Sequence, residues 1–293
     1  MLTHKYAEAN GIRLHYVTTG KGKLLLFVHG FPEFWYEWKN QLVEFGRDYQ
    51  AVAPDMRGYN LSSKPTEVEQ YQVQYLVEDL RALVEKLGHN TCILAGHDWG
   101  GVVAWFFAMT HPEYVEKLII INAPHPAIFQ RELRENPAQQ QASRYILLYR
   151  SPKAEQMLSA NNYEVLVQRV LGEGLKQGFF TDEDRKAYLA AWSQPGALIG
   201  GLNYYRAARL GPPTGDEQEA PGLDGALSMV VDAPTLVIWG EKDTALLKGN
   251  LKGLDMFVPH LTIKRIPEGT HWVIHEQPAL INTSIREFIT YPA

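Results

Sequence analysis

Apolar residues follow two rhythms along this chain. Five short continuous runs read as strands: Leu24 to Val28, Gln50 to Ala53, Cys92 to Ala95, Lys117 to Ile121 and Thr235 to Trp239. Leu261 to Ile266 reads as a further strand. Runs without alternation suit parallel strands covered on both faces. Ile12 to Val17 alternates instead, which predicts a half-exposed antiparallel strand. Val73, Leu76, Val77, Leu80, Leu83, Val84 and Leu87 keep the i, i+3, i+4 spacing of an amphipathic helix, with Gly88 at its C-terminal end. Gly100 to Thr110 predicts a buried helix that stops before His111-Pro112, and Pro278 to Ile289 a closing helix. Strands alternating with helices predict a mostly parallel, doubly wound α/β sheet.

The alternation fails between about Pro126 and Gly225, where the composition is helical and Pro and Gly recur. Gly211 to Gly225 has loop chemistry. The expected division is a sheet-bearing core of residues 1–125 and 226–293, with a helical insertion and its return linker at 126–225. A chain of 293 residues with 45% hydrophobic content can bury one large core carrying such an insertion. The net charge of −5, without long like-charge runs, argues against nucleic acid or an anionic membrane surface as partner. The first ten residues hold no apolar run of signal-peptide length, and no stretch approaches the roughly 20 apolar residues of a membrane span. A cytoplasmic location is expected. The single cysteine, Cys92, lies in an apolar run and reads as a small buried residue, in keeping with a reducing compartment.

Chemistry gathers at the ends of the strands. Cys92 to Ala95 runs into Gly96-His97-Asp98-Trp99-Gly100 and then a helix. This is a G-x-nucleophile-x-G turn in its strand–turn–helix context. Small residues allow the strained turn, and the helix start favours negative charge. Asp in the central place changes the chemistry expected of the more usual Ser. A carboxylate is ionised at pH 7 without a base, and it can attack an sp³ carbon to form an ester. An ester keeps a carbonyl carbon for water to attack. Taken alone, Asp98 could instead be a helix N-cap.

Two further residues weigh against that plain reading. Asp243 follows a strand in Trp-Gly-Glu-Lys-Asp, and His271 follows a strand in Glu-Gly-Thr-His-Trp. The chain order nucleophile, acid, histidine is that of α/β hydrolases. His271 would take a proton from water, and Asp243 would orient it. His275, His97 and His125 are weaker rivals. His29-Gly30-Phe31-Pro32-Glu33 follows the Leu24 to Val28 strand, where an oxyanion donor is needed. The backbone N–H groups of Phe31 and Trp99 are the expected pair, with a cis or otherwise tight turn at Phe31–Pro32.

HGFPEFWYEW (29–38), DMRGYNLSSKP (55–65), GHDWGG (96–101), NAPHP (122–126), WGEKD (239–243) and GTHW (269–272) together resemble the epoxide hydrolases of the α/β-hydrolase superfamily. The resemblance covers nearly the whole chain. It implies the α/β-hydrolase fold with a helical cap inserted after the strand ending near Asn122. It also implies two cap tyrosines that bind the epoxide oxygen, matching Tyr145 and Tyr205. Tyr149 and Tyr204 are the neighbouring alternatives; the register against Pro152 and Arg206 favours the first pair. The expected reaction is epoxide hydrolysis to a vicinal diol through an ester on Asp98. Epoxide and water are then the partners, with no cofactor and no metal. Haloalkane dehalogenases are similar and also place Asp-Trp at this turn, so that activity is the alternative. A non-catalytic ligand receptor on the same fold is the third reading. Phe31, where dehalogenases often carry Asn, and the two tyrosines favour the epoxide.

Overall fold

A computed structural model of the chain describes residues 1–213 and 229–290. Eight strands form one sheet: β1 Thr3–Ala9, β2 Ile12–Thr19, β3 Leu24–Val28, β4 Gln50–Pro54, β5 Cys92–His97, β6 Val115–Ile121, β7 Thr235–Gly240 and β8 Leu261–Ile266. Their order is β1-β2-β4-β3-β5-β6-β7-β8. β1 and β2 are antiparallel to each other, β2 is antiparallel to β4, and all later neighbours are parallel. Every residue of β3, β5 and β7 is buried, as continuous apolar runs require.

α1 Lys39–Phe45, α2 Val73–Lys86 and α3 Asp98–Thr110 fill the first three parallel crossovers. Gly88 follows the C-cap of α2, and its φ of +83° suits a residue without Cβ. The connection from β6 to β7 is different. Its described residues carry α4 Pro126–Glu135, α5 Pro137–Ala142, α6 Arg144–Arg150, α7 Ala154–Leu166, α8 Gly172–Gln177, α9 Asp182–Trp192 and α10 Ala197–Ala208. Residues 214–228 lie outside the described part, and with them most of the expected 211–225 loop and the return boundary at 225/226. α11 Val273–Glu276 and α12 Pro278–Thr290 close the chain. Among the described residues no helix is long and apolar enough to cross a membrane.

The helices between β6 and β7 sit on the loops after β3 and β4. The Trp192 indole donates to the Pro32 carbonyl at 2.6 Å, and the Tyr204 hydroxyl to the Arg57 carbonyl at 2.9 Å. The Tyr188 hydroxyl donates to the buried Glu33 carboxylate.

Two features differ from expectation. β1 was not foreseen, because most of its residues are exposed at the sheet edge and leave no apolar run. Its signal is the Asn10-Gly11 turn, with φ of 48° and 75°, which joins it to β2 as a tight hairpin. β2 itself is not half exposed. His15 is fully buried, with Nδ1 2.6 Å from Asp55 Oδ2 and its backbone N–H 2.9 Å from Ser62 Oγ. A polar side chain satisfied from inside breaks the link between alternation and exposure.

The β5–α3 turn is the tightest junction. A Cβ on Gly100 would lie 2.1 Å from the Val28 carbonyl oxygen, and one on Gly96 2.5 Å from the Gly100 carbonyl oxygen. Both collisions are with backbone, which cannot rotate away. Gly100→Ala should therefore cost about 3 kcal/mol or more, read as a lowered urea midpoint. An unchanged midpoint would contradict this close packing.

Candidate active site

Asp98 opens α3 immediately after β5, with φ of 49°. Non-glycine residues enter this left-handed region only where the surroundings impose it. The surroundings here are glycines: a Cβ on Gly30 would lie 2.4 Å from the Asp98 Cβ. The loop after β3 can thus approach closely, and the Phe31 N–H reaches Asp98 Oδ1 at 2.8 Å. The Phe31–Pro32 bond is cis. Asp98 does not cap its helix: the N-cap position is His97, and no side-chain cap bond forms there. Trp99 follows as the second helical residue, where backbone N–H groups lack an intrahelical partner.

His271 stands between two carboxylates. Its Nδ1 is 2.7 Å from Asp243 Oδ2, and its Nε2 is 3.5 Å from Asp98 Oδ2. Asp243 is held in turn by the N–H groups of Ala245 at 2.8 Å and Leu246 at 2.9 Å, and by Asn122 Nδ2 at 2.8 Å. Sequence reasoning missed Asn122. It ends β6, with φ of 39°, and its Oδ1 accepts the Gly240 N–H at 2.8 Å, so it ties β6 to β7 where Asp243 emerges. Only the adjacency of those strands could have marked it.

Charge explains the titration. Burial alone would raise the Asp98 carboxyl, but the hydrogen bond and charge of His271, with the Phe31 N–H, outweigh it and hold the pKa below the ordinary value. Burial likewise opposes ionisation of Asp243, and His271 overrides it. Burial would lower His271, yet the charge and hydrogen bond of Asp243, then those of Asp98, lift it well above an ordinary histidine. The resting pair is a carboxylate beside an imidazolium.

A cavity of about 360 Å³ opens on Asp98 and His271 and is also lined by Phe31, Tyr145, Tyr149, Arg169 and Tyr205. A small apolar pocket of about 40 Å³ also touches Asp98, walled by Val102, Phe129, Ile146 and Leu246 among others. Tyr145 and Tyr205 line both. Burial, then the Asp98 charge, pushes both phenols well above their ordinary value, so both keep their protons. Neither hydroxyl has a hydrogen-bond partner among the described residues. The alternatives are engaged: Tyr149 accepts from Arg169, and Tyr204 donates to the Arg57 carbonyl.

A sequence profile described as alpha/beta hydrolase fold matches residues 23–278. An AB hydrolase superfamily protein of Bacillus subtilis (strain 168) is 39% identical, over 97% of each chain. Epoxide hydrolase 4 of Mus musculus is 38% identical, across 98% of this chain and 79% of the mouse protein. The crystal structure of a Bacillus megaterium epoxide hydrolase in complex with an inhibitor superimposes with a TM-score of 0.92 at 38% identity, covering 98% of this chain and 100% of that one. The chain belongs to the epoxide hydrolases of the α/β-hydrolase superfamily. Its fold is the α/β-hydrolase fold.

The other histidines of this hydrolase are engaged elsewhere. His97 is fully enclosed, and burial pulls its pKa down to about 4. It is neutral, so its Nε2–H donates to the His271 carbonyl at 2.9 Å and its Nδ1 accepts from Glu37. Glu37 can donate because burial, then the charge of Glu33, lifts its carboxyl well above the ordinary value. His275 sits 3.0 Å from Glu33 Oε1, and His125 donates to the Met229 carbonyl at 3.0 Å. Neither is bonded to Asp98. His271 should titrate by NMR well above the ordinary 6.5, and Asp243→Asn should bring it down, because the largest raising cause is then removed. A wild-type midpoint at or below the ordinary value would overturn this electrostatic assignment.

Proposed function

We propose that the chain hydrolyses epoxides to vicinal diols through an ester on Asp98. The observation that carries this reading is one cavity lined by an ionised carboxylate and by two phenols without partners among the described residues, Tyr145 and Tyr205. Asp98 attacks an epoxide carbon, the C–O bond breaks, and the oxygen leaves as an alkoxide. The two phenols bind that oxygen, and one protonates it. The tyrosinate left behind is a stronger base than the imidazole and recovers a proton from His271.

Esterification changes His271. It removes the Asp98 charge, one of the causes that lifts the imidazole. His271 is therefore neutral when a base is needed. It takes a proton from water, which attacks the ester carbonyl, and the N–H groups of Phe31 and Trp99 hold the oxyanion. On collapse the departing diol oxygen takes up the acid proton. Asp98 returns as a carboxylate beside an imidazolium, with no cofactor consumed.

In this reading the chain divides as a hydrolase core, 1–125 and 226–293, and a helical cap, 126–225. The name of the mouse relative and the inhibitor-bound Bacillus megaterium enzyme support the reading at the level of reaction class.

With styrene oxide, Tyr145→Phe and Tyr205→Phe should each slow ester formation by roughly a hundredfold, as expected for loss of one donor to a developing oxyanion. His271→Gln should accumulate the ester, seen as an added epoxide mass on the peptide containing Asp98. No adduct in that variant would sink the covalent route. Halide release from a bromoalkane that outpaces diol formation would point instead to dehalogenation, with the Trp99 indole on the halide.

A further inference from the structure

One charged group on the large cavity has no part in the reaction above. Arg169 lies on a single turn of π-helix, Val167–Leu171. Just before it, Asn161, Asn162 and Tyr163 take φ of 50°, 56° and 63° and break α7. Such departures from regular helix re-aim side chains and recur at functional sites. The guanidinium lines the same cavity as Asp98 and the phenols, and the residue stays exposed, so it marks the open end. It donates to the Tyr149 hydroxyl and lies 5.9 Å and 5.7 Å from the ring centroids of Tyr145 and Tyr149. No carboxylate pairs with it among the described residues. A guanidinium has five N–H donors in a planar fork, and one bond to a phenol leaves most of them available.

We propose that Arg169 binds a carboxylate on the substrate, so that the preferred epoxides carry an acid tail. The assignment rests on the epoxide reading of the site. A monoanion is the fitting charge. Asp98 shares the cavity and repels any anion, a dianion more strongly. The acid must therefore lie at the Arg169 end and the epoxide at the Asp98 end, with a spacer between. Tyr145 reports both charges: burial and then Asp98 raise its pKa, while Arg169 opposes them. The small pocket on Asp98 has apolar walls in Val102, Phe129, Ile146 and Leu246, so it suits the uncharged end. The substrate would then have one orientation, acid toward Arg169 and apolar end toward Phe129.

The test uses the glycidyl ether of 4-hydroxybenzoate and its methyl ester, which differ in charge and little in shape. The acid-to-ester ratio of kcat/KM should exceed one in the wild type and fall with added salt. It should drop about tenfold in Arg169→Gln, through KM, and recover in part in Arg169→Lys. Binding of 4-methoxybenzoate against its methyl ester, measured by calorimetry, gives a readout independent of turnover. If Arg169→Gln does not fold, the salt dependence, Arg169→Lys and the wild-type binding comparison decide. Equal losses on acid and ester, or wild-type binding that ignores charge, overturns the inference. Charge-selective binding without turnover of either epoxide keeps it and removes the hydrolase reading instead.

Discussion

Asp98 is a buried anion on a cavity lined in good part by aromatic rings, and an anion there has to be compensated. Three sources do it: the Phe31 N–H at 2.8 Å, the start of α3, and the imidazolium of His271. The first two depend on close approach of the chain around the turn. Gly30, Gly96 and Gly100 allow it, because a Cβ at any of them would collide within 2.6 Å of a neighbour. The left-handed conformation of Asp98 is the local cost of this arrangement. The rest of the parallel sheet supplies the rigidity that holds it.

Behind the cavity, protons are distributed so that like charges do not meet. Glu33 and Glu37 are both buried and lie near one another, so both cannot ionise cheaply. Glu33 is the carboxylate. Burial opposes this, but His275 and the Tyr188 hydroxyl outweigh it. Glu37 keeps its proton and gives a hydrogen bond to His97, which in turn holds the His271 carbonyl. The imidazole is therefore steered from two directions, by Asp243 at its ring and by His97 at its backbone. The same network reaches Tyr188 on α9, so the helices between β6 and β7 are fastened to the loop that carries Phe31.

Legibility in the sequence followed the physics of each part. The buried parallel strands and α2 were readable because burial on both faces, or on one helical face, leaves a periodic record. β1 left none, being an exposed edge. Asp98, Asp243 and His271 could be singled out because each follows a strand, and the fold brings the three together. Asn122 and Glu37 were not, since each acts through a neighbour brought close only by folding. The choice of Tyr145 over Tyr149, and of Tyr205 over Tyr204, came in the sequence from a family register. The structure adds that Tyr204 gives its proton to the Arg57 carbonyl and that Tyr149 accepts from Arg169.

Those two hydroxyls say most about what the cavity is shaped for. Both phenols, Tyr145 and Tyr205, line the cavity, and no protein group accepts from either hydroxyl among the described residues, so each is left free to donate to what enters. Burial, then the charge of Asp98, keeps both protonated. Two donors lining one cavity with a carboxylate suit the proposed intermediate, whose oxygen becomes negative as its carbon bonds to Asp98. In the proposed reaction such donors are satisfied better by the opened epoxide than by the resting enzyme. That difference between the two states is what accelerates a reaction. Because the carboxylate comes from the sheet and the phenols from α6 and α10, the complementarity exists only while the helices stay docked on the β3 loop.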